Sequence, residues 1–365
     1  MDRQEAIATA KLLKDLISVS EVSKILGTFI KAFEKNSIKK EDGIYYLHGN
    51  FNLNGTVSGR LSSSGPNLQN LPSGSKYAKI IKRCFYSPKG KVFLGADFNS
   101  LEDYISALTT KDPNKLKVYL DHYDGHCLRA YAYFKHLMPD IVNTVDSINS
   151  IKHTYPHLRQ ESKIPTFALT YQGTWATLVK NIGLTREAAM SIEDQYHKLY
   201  KVSDDWVASK LEQATKDGYV TVAFGLRVRT PILAQTLLNK RNTPNAAGAE
   251  GRTAGNALGQ SYGLLNNRAA NEFMQRVHAS KYKYKISPIA LIHDAIYLIT
   301  EDSIGCVEWV NRNLVECMEW QELEEIKHGT VKLGAEIDIF PTWDNPVTIP
   351  NRATKREILM RVQNV

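Results

Sequence analysis

The chain has 365 residues, 43% of them hydrophobic and 23% charged, which excludes a disordered or collagen-like protein and suffices for a core without disulfide staples. Lys and Arg number 46 against 38 Asp and Glu, a formal net charge of +8 that suits a polyanion such as nucleic acid without establishing one. At about 150 residues per domain the length predicts two or three domains, or one large one.

No apolar run is long enough to predict a membrane span, and the N-terminus lacks the apolar segment of a signal peptide. Cys84, Cys127, Cys306 and Cys317 form no C-x-x-C pair, so they read as reduced thiols and predict a cytoplasmic protein, in a host cytoplasm if the source is viral.

In chain order, residues 1–40 place Leu12, Leu13, Leu16 and Ile17, then Ile25, Leu26, Phe29 and Ile30, at helical spacing, which predicts an amphipathic helix with a solvated lysine face. Residues 49–75 are rich in Gly, Ser, Asn and Pro and predict an extended loop. Its Arg60, Asn67, Gln69 and Asn70 suit phosphate and base-edge contacts, although a plain linker has the same composition. Val92, Phe93, Leu94 and Ala96 then predict a buried strand ending at Asp97. Ser100 is the expected cap of the following helix, with Asp103 at its third position. Asp97 fits both a turn aspartate and a metal ligand.

Residues 124–240 are mostly helical by pattern, broken by a predicted strand or hairpin at GYVTVAFGLRVRTP. Over 246–270, Gly251, Gly255, Gly259 and Gly263 recur every four residues beside Arg252, Asn256 and Gln260. On one helix this is a glycine ridge next to a polar ridge. Interior glycine costs roughly 1 kcal/mol against alanine, so the ridge implies a close approach by another backbone or by a nucleic acid. Finally, Ile289–Ile292 and Ile296–Ile299 flank His293-Asp294-Ala295, a predicted hairpin whose turn carries a carboxylate.

Two aspartates at strand ends, Asp97 and Asp294, suit Mg²⁺, which takes one or two carboxylates plus substrate phosphates. Arg159, Lys163, Phe167 and Tyr171 follow at steps of four, so one helix face would carry two cations and then two aromatics, the makings of a triphosphate site leading to a stacking site.

Together these segments resemble the polymerase domain of family A DNA polymerases, the bacterial polymerase I group and its bacteriophage relatives. The likeness runs from about residue 50 to 343, and weakly through 10–45. GRLSSSGPNLQNLP (59–72) is similar to the family's primer–template loop, DFNSLEDY (97–104) to motif A, RQESKIPTFALTY (159–171) to motif B and HDA (293–295) to motif C. The resemblance implies an α+β right-hand fold: 1–50 a thumb remnant, 51–123 and 246–345 the palm on an antiparallel sheet, 124–245 helical fingers, and 346–365 a C-terminal tail.

It also implies template-directed DNA synthesis in replication, with primer–template DNA and dNTPs as partners, two Mg²⁺ ions as cofactor and no membrane. Asp97, Asp294 and the backbone carbonyl of Phe98 would hold the metals. Glu102 would exclude a ribose 2′-OH. His126, Arg159 and Lys163 would bind the triphosphate, with Lys163 assisting the leaving group. Phe167 and Tyr171 would lie against the nucleotide and the templating base. Arg60, Gln69, Asn70, Arg252, Asn256 and Gln260 would contact the duplex, and His293 the primer end.

Four departures stand out: Ala295 in place of the acidic residue ending motif C, Tyr104 in place of an arginine, Gln172 in place of a glycine, and Pro165 inside the motif B helix. Family members carry more chain before the palm. The expectation is therefore a C-terminal part of a polymerase: a split-gene product, a fragment, or a subunit with a separate N-terminal polymerase or exonuclease polypeptide as a further partner. The rivals are a DNA-binding subunit inactive without that partner, a single-subunit RNA polymerase, against which Glu102 argues, and a metal-dependent hydrolase, which leaves 59–72 and the glycine ridge unexplained.

Overall fold

The computed structural model describes residues 3–72, 77–235 and 245–362. Parts of the expected loop (73–75) and of the expected helical stretch (236–240) fall outside these residues.

The first helix, α1 (Arg3–Lys24), continues through a wider turn at Ile25–Ile30 to Asn36. It is helical as expected, but α1 buries none of its residues, and Leu12, Leu13, Leu16 and Ile17 are exposed. The segment expected as an open loop contains a short antiparallel pair, Asn50–Asn52 with Ser62–Ser64.

The centre of the molecule is a five-stranded antiparallel sheet. Its strands are β1 (Lys91–Phe98), β2 (Ile286–Ile292), β3 (Ala295–Glu301), β4 (Ala335–Phe340) and β5 (Val347–Ile349), in the order β5-β4-β1-β3-β2. The two-residue period of β1 splits it by face. Leu94, Ala96 and Phe98 enter the main core. Phe93 packs with Tyr297, Phe340 and Trp343 on the opposite side. Gly95 lies among these rings, where a Cβ would meet Phe340 at 2.7 Å and Tyr297 at 2.8 Å. Asp97 continues the Phe93 and Gly95 series at the strand's end.

The helices after β1 include α2 (Leu101–Thr110), α3 (Pro113–Leu120), α4 (Gly125–Phe134), α5 (Pro156–Glu161), α6 (Lys163–Thr170) and α7 (Lys201–Asp217). Residues from 113 to 235 build a mainly helical body with its own clusters around Leu128 and Ile148 and around Leu178 and Tyr196, and a third around Val220 that it shares with Leu258. The predicted break is a hairpin, Tyr219–Thr221 with Arg227–Arg229.

The chain returns through α8 (Asn245–Gln260), a tight turn at Ser261–Gly263, and α9 (Leu264–His278). The glycine-ridged segment thus follows one helical path that tightens at Ser261–Gly263, with Gly251, Gly255 and Gly259 all on α8. Leu265, Ala269, Phe273 and Val277 of α9, and Val307, Val310 and Leu314 of α10 (Ile304–Met318), cover the sheet.

The residues expected as a tail are packed instead. β5 extends the sheet, Asn311 donates to the Pro350 carbonyl (2.9 Å), and α11 (Lys355–Val362) buries Ile358. Cys84 is exposed and the other three cysteines are buried, all as free thiols. Among the described residues no helix is long and apolar enough to cross a membrane.

Candidate active site

The β2–β3 hairpin turns at His293 and Asp294, with His293 at φ 54°, a left-handed conformation that few non-glycine residues adopt. Asn266 of α9, fully buried, donates to the carbonyls of His293 (3.3 Å) and Ala295 (3.1 Å) and so fixes the turn. Asp97 pairs in register with Ala295, and the Phe98 N–H donates to the Asp294 carbonyl (3.2 Å). The two strand-end aspartates therefore come together at one end of the sheet's interior strands, β1 and β3.

Their charges oppose one another. Asp97 keeps a solvent-accessible face, yet desolvation by its surroundings, then the Asp294 charge, push its pKa up to about 6. Asp294 is also raised, by burial and by Glu102, against the opposing pull of Arg60 and His293. Among the described residues no third His, Cys, Asp or Glu joins them to make a ready metal cage.

Ser100 does not cap α2 with its side chain. It sits at φ 45°, and no side-chain cap bond forms, although Asp103 holds the expected third position. The tight turn points Glu102 toward Arg60, whose Nη2 lies 3.2 Å from Glu102 and 3.2 Å from Asp294. The Tyr171 hydroxyl donates to the other Glu102 oxygen. Glu102 and burial together raise the Tyr171 pKa. A continuous chain Tyr171–Glu102–Arg60–Asp294 thus joins the helical body to the carboxylate end of the sheet.

Asp124 caps α4 by accepting from the N–H groups of His126 (2.9 Å) and Cys127 (3.0 Å), and its second oxygen holds Arg159 at 2.9 Å. Burial raises the Asp124 pKa, but the Arg159 and backbone N–H bonds outweigh it and leave the carboxyl below its usual range. Burial and the charges of Arg129, Arg159 and Lys163 bring His126 down to about 4, so it is neutral at physiological pH.

Arg159, Lys163, Phe167 and Tyr171 do not share one unbroken helix. Pro165 has no N–H for the Glu161 carbonyl, and the chain divides at Ser162 into α5 and α6. Ser162 stabilises the junction by donating to the Arg159 (2.9 Å) and His126 (3.3 Å) carbonyls. Tyr171 lies just past α6, and Phe167 is 51% exposed. Among the described residues Lys163 has no ion-pair partner.

A cleft of about 90 Å³ brings Glu102 and Tyr171 together with Asn256, Gly259 and Gln260 of α8. The Asn256 Oδ1 there is shielded and lacks a partner. Arg252 and Asn70 are exposed on the surface. Gln69 is turned inward, its amide donating to the Leu291 carbonyl (3.2 Å). Asn266, Lys115 and Arg129 escaped the sequence reading, and Asp124 received no role in it. Asp124 followed by a helix was a legible cap, whereas Asn266 was marked only by its place on an apolar helical stripe.

The profile of DNA polymerase family A matches residues 3–345, leaving β5 and α11 outside it. The thermostable DNA polymerase I of Thermus filiformis is 28% identical over 238 residues, 65% of this chain and 27% of that protein. The DNA polymerase I of Streptococcus pneumoniae serotype 4 is 26% identical over 337 residues, 92% of this chain and 35% of that protein. The chain thus spans about a third or less of these curated relatives. The polymerase domain of Pol1 from M. smegmatis, solved with DNA primer–template and dNTP, superposes with a TM-score of 0.74 at 21% identity, covering 91% of this chain and 53% of that one. With the family profile running through both strand-end aspartates and the fold of a Pol1 polymerase domain around them, this chain belongs to DNA polymerase family A.

Proposed function

We propose that the chain carries out template-directed DNA synthesis in replication, adding dNTPs to a primer 3′ end. The observation that carries this reading is the meeting of Asp97 and Asp294 at one end of the sheet, linked through Arg60, Glu102 and Tyr171 to the helical body that bears Arg159 and Lys163. Residues 51–123 and 246–345 act as the palm, 124–245 as the fingers and 1–50 as a thumb remnant.

The residues fit a hard divalent cation. Two neighbouring carboxylates with raised pKa values suit ions that take their remaining ligands from substrate phosphates and water. Asp97, Asp294 and the Phe98 carbonyl would hold two Mg²⁺ ions. Bound there, Mg²⁺ supplies activation of the attacking 3′-oxygen and charge stabilisation at the transferring phosphoryl group.

The chain's own groups do the rest. Arg159 and Lys163 bind the triphosphate, neutral His126 donates a hydrogen bond to it, and Lys163 stabilises or protonates the leaving group. Glu102, fixed between Arg60 and Tyr171, occupies the space of a ribose 2′-OH. Phe167 and Tyr171 offer apolar faces to the nucleotide and the templating base. Arg60, Gln69, Asn70, Arg252, Asn256 and Gln260 contact the duplex, and minor-groove acceptors shared by all base pairs are the groups a sequence-tolerant enzyme reads. His293 touches the primer end. Buried Ala295 leaves two carboxylates at this end of the sheet instead of three.

A second reading, a DNA-binding subunit inactive without a separate polypeptide, is favoured by the exposed Leu12, Leu13, Leu16 and Ile17 of α1. One experiment separates the two: primer extension by this chain with Mg²⁺ and four dNTPs, beside Asp97→Asn and Asp294→Asn. Extension lost in both variants establishes the first reading. Salt-sensitive duplex binding without extension favours the second. Extension retained in both variants overturns the site.

A further inference from the structure

Behind the first turn of α2, a recess of about 320 Å³ opens between α2, α3, α4 and α6. Two cations line it. Arg129 is 8% exposed; its Nη2 bonds the Nδ1 of His126 at 3.0 Å and lies 3.8 Å from Asp103, and its buried Nε has no acceptor. The Lys115 ammonium rests on the Ser106 hydroxyl at 2.7 Å. Burial lowers its pKa to about 8 despite the Asp112, Asp103 and Asp204 carboxylates, and Arg129 adds to the fall. The lining is otherwise rich in donors, with the rings of Tyr104 and Tyr119 tilted 32° to one another at 3.9 Å between centroids. Asp103 is the one carboxylate in the lining, and half its side chain faces solvent.

Beside Lys115, whose charge already faces Asp112, Asp103 and Asp204, the buried Arg129 keeps an unpaired Nε, which is costly in a low-dielectric recess. An anion seated between them offsets that cost and supplies the acceptor that the Arg129 Nε lacks. His126 connects this recess to the proposed triphosphate clamp. Because Arg129 donates to Nδ1, the neutral ring carries its proton on Nε2, and the charges of Arg159 and Lys163 act on the same ring.

We propose that this recess is a second anion site for a phosphate-class ligand, and that its occupant is the pyrophosphate released beside it. The identity of the occupant rests on the polymerase reading above; the anion site itself does not. The alternative source of the same chemistry is the phosphate tail of a second nucleotide.

The test is calorimetric titration of inorganic pyrophosphate into the full chain without DNA or divalent ion. Two sites are expected. Lys115→Gln and Arg129→Gln should each weaken one of them by about tenfold or more, and Arg159→Gln should weaken the other. Because Arg129 is buried, Ser106→Ala and a Lys115→Arg rescue accompany it as milder variants, each with a thermal melt. A single site in the wild type, or two sites indifferent to Lys115→Gln, would sink the proposal. Titration of dTTP into Arg159→Gln separates the sources: binding about tenfold weaker than pyrophosphate supports the product, and equal binding overturns that assignment. In primer extension, Lys115→Gln should raise the inhibition constant of pyrophosphate while the dNTP KM stays within about twofold. A parallel rise in KM would place Lys115 in the triphosphate clamp and defeat the proposal. An inactive chain that still shows two titratable sites rejects only the polymerase reading.

Discussion

A Cβ at position 263 would lie 2.5 Å from the Nε of Arg60, so the guanidinium reaches Asp294 and Glu102 only by passing over a glycine. The other glycines of the ridge differ. Gly251 faces Leu233 at 3.8 Å, Gly255 faces Gln172 at 3.5 Å, and a Cβ at Gly259 would meet nothing within 4 Å. No second backbone approaches these positions; the nearest atoms are side chains.

Gly263→Ala should therefore displace Arg60 and cut primer extension by about tenfold, with little change in Tm, because the displaced group is a flexible side chain. Gly259→Ala should behave in the opposite way for stability. The alanine relieves up to about 1 kcal/mol of helix penalty and so raises Tm slightly. If α8 lies against the duplex, the added methyl also weakens DNA binding. Melts and fluorescence anisotropy on both variants check this, and unchanged extension by Gly263→Ala rejects the role given to Arg60.

Glu102 is held from two sides, by the Tyr171 hydroxyl and by Arg60. Glu102→Ala should admit ribonucleotides. Tyr171→Phe removes one tether only, so it should relax discrimination part of the way, by roughly a tenth to a third of the Glu102→Ala effect on a logarithmic scale. The ratio of rNTP to dNTP kcat/KM measures both. If Tyr171→Phe discriminates as well as the unaltered chain, the hydroxyl does not position the gate.

The strands were legible because alternating burial and turn residues are local signals, and each marked its aspartate, whereas the motif order came from the family resemblance and only the fold joins Asp97 to Asp294. The Arg60 contact was not, because Gly263 and Glu102 reach it only through the fold. Ser100 looked like a cap by residue type, but its left-handed backbone turns the hydroxyl away from the N–H groups it would satisfy. Motif B looked like one helix by spacing, although Pro165 already marked where its hydrogen bonding would fail. The Lys115 and Arg129 recess left no sequence signal, since charged residues on helices usually face solvent.

Asp97 should trade stability for function. Its folded pKa of about 6 stands above the ordinary value of 3.8. A raised pKa contributes stability below about pH 4 that is lost as pH climbs through 6, so at neutral pH the ionised carboxylate opposes folding. Its exposed face screens much of this. Asp97→Asn should then raise Tm of the Mg²⁺-free chain by about 2 °C at pH 8, with the difference vanishing near pH 4, while extension is abolished. Melts at the two pH values, with and without Mg²⁺, give the comparison. A variant less stable at pH 8 than the parent contradicts the charge conflict.

Asp124 serves two elements at once, as N-cap of α4 and as partner of Arg159, and the two duties can be separated by substitution. Asparagine keeps an oxygen for the His126 and Cys127 N–H groups but removes the charge that orients the guanidinium. Asp124→Asn should hold most of the cap and raise the dNTP KM about threefold, with a smaller change in kcat. Alanine loses the cap as well and should cost about a further 1 kcal/mol of stability. The pH dependence carries the opposite sign from that of Asp97. A carboxyl whose folded pKa is lowered contributes stability above 3.8 that disappears as pH falls through the folded value, so the parent and Asp124→Asn should converge in strong acid and differ most at neutral pH. If Asp124→Asn lowers KM instead, the carboxylate competes with the triphosphate for Arg159 rather than presenting it.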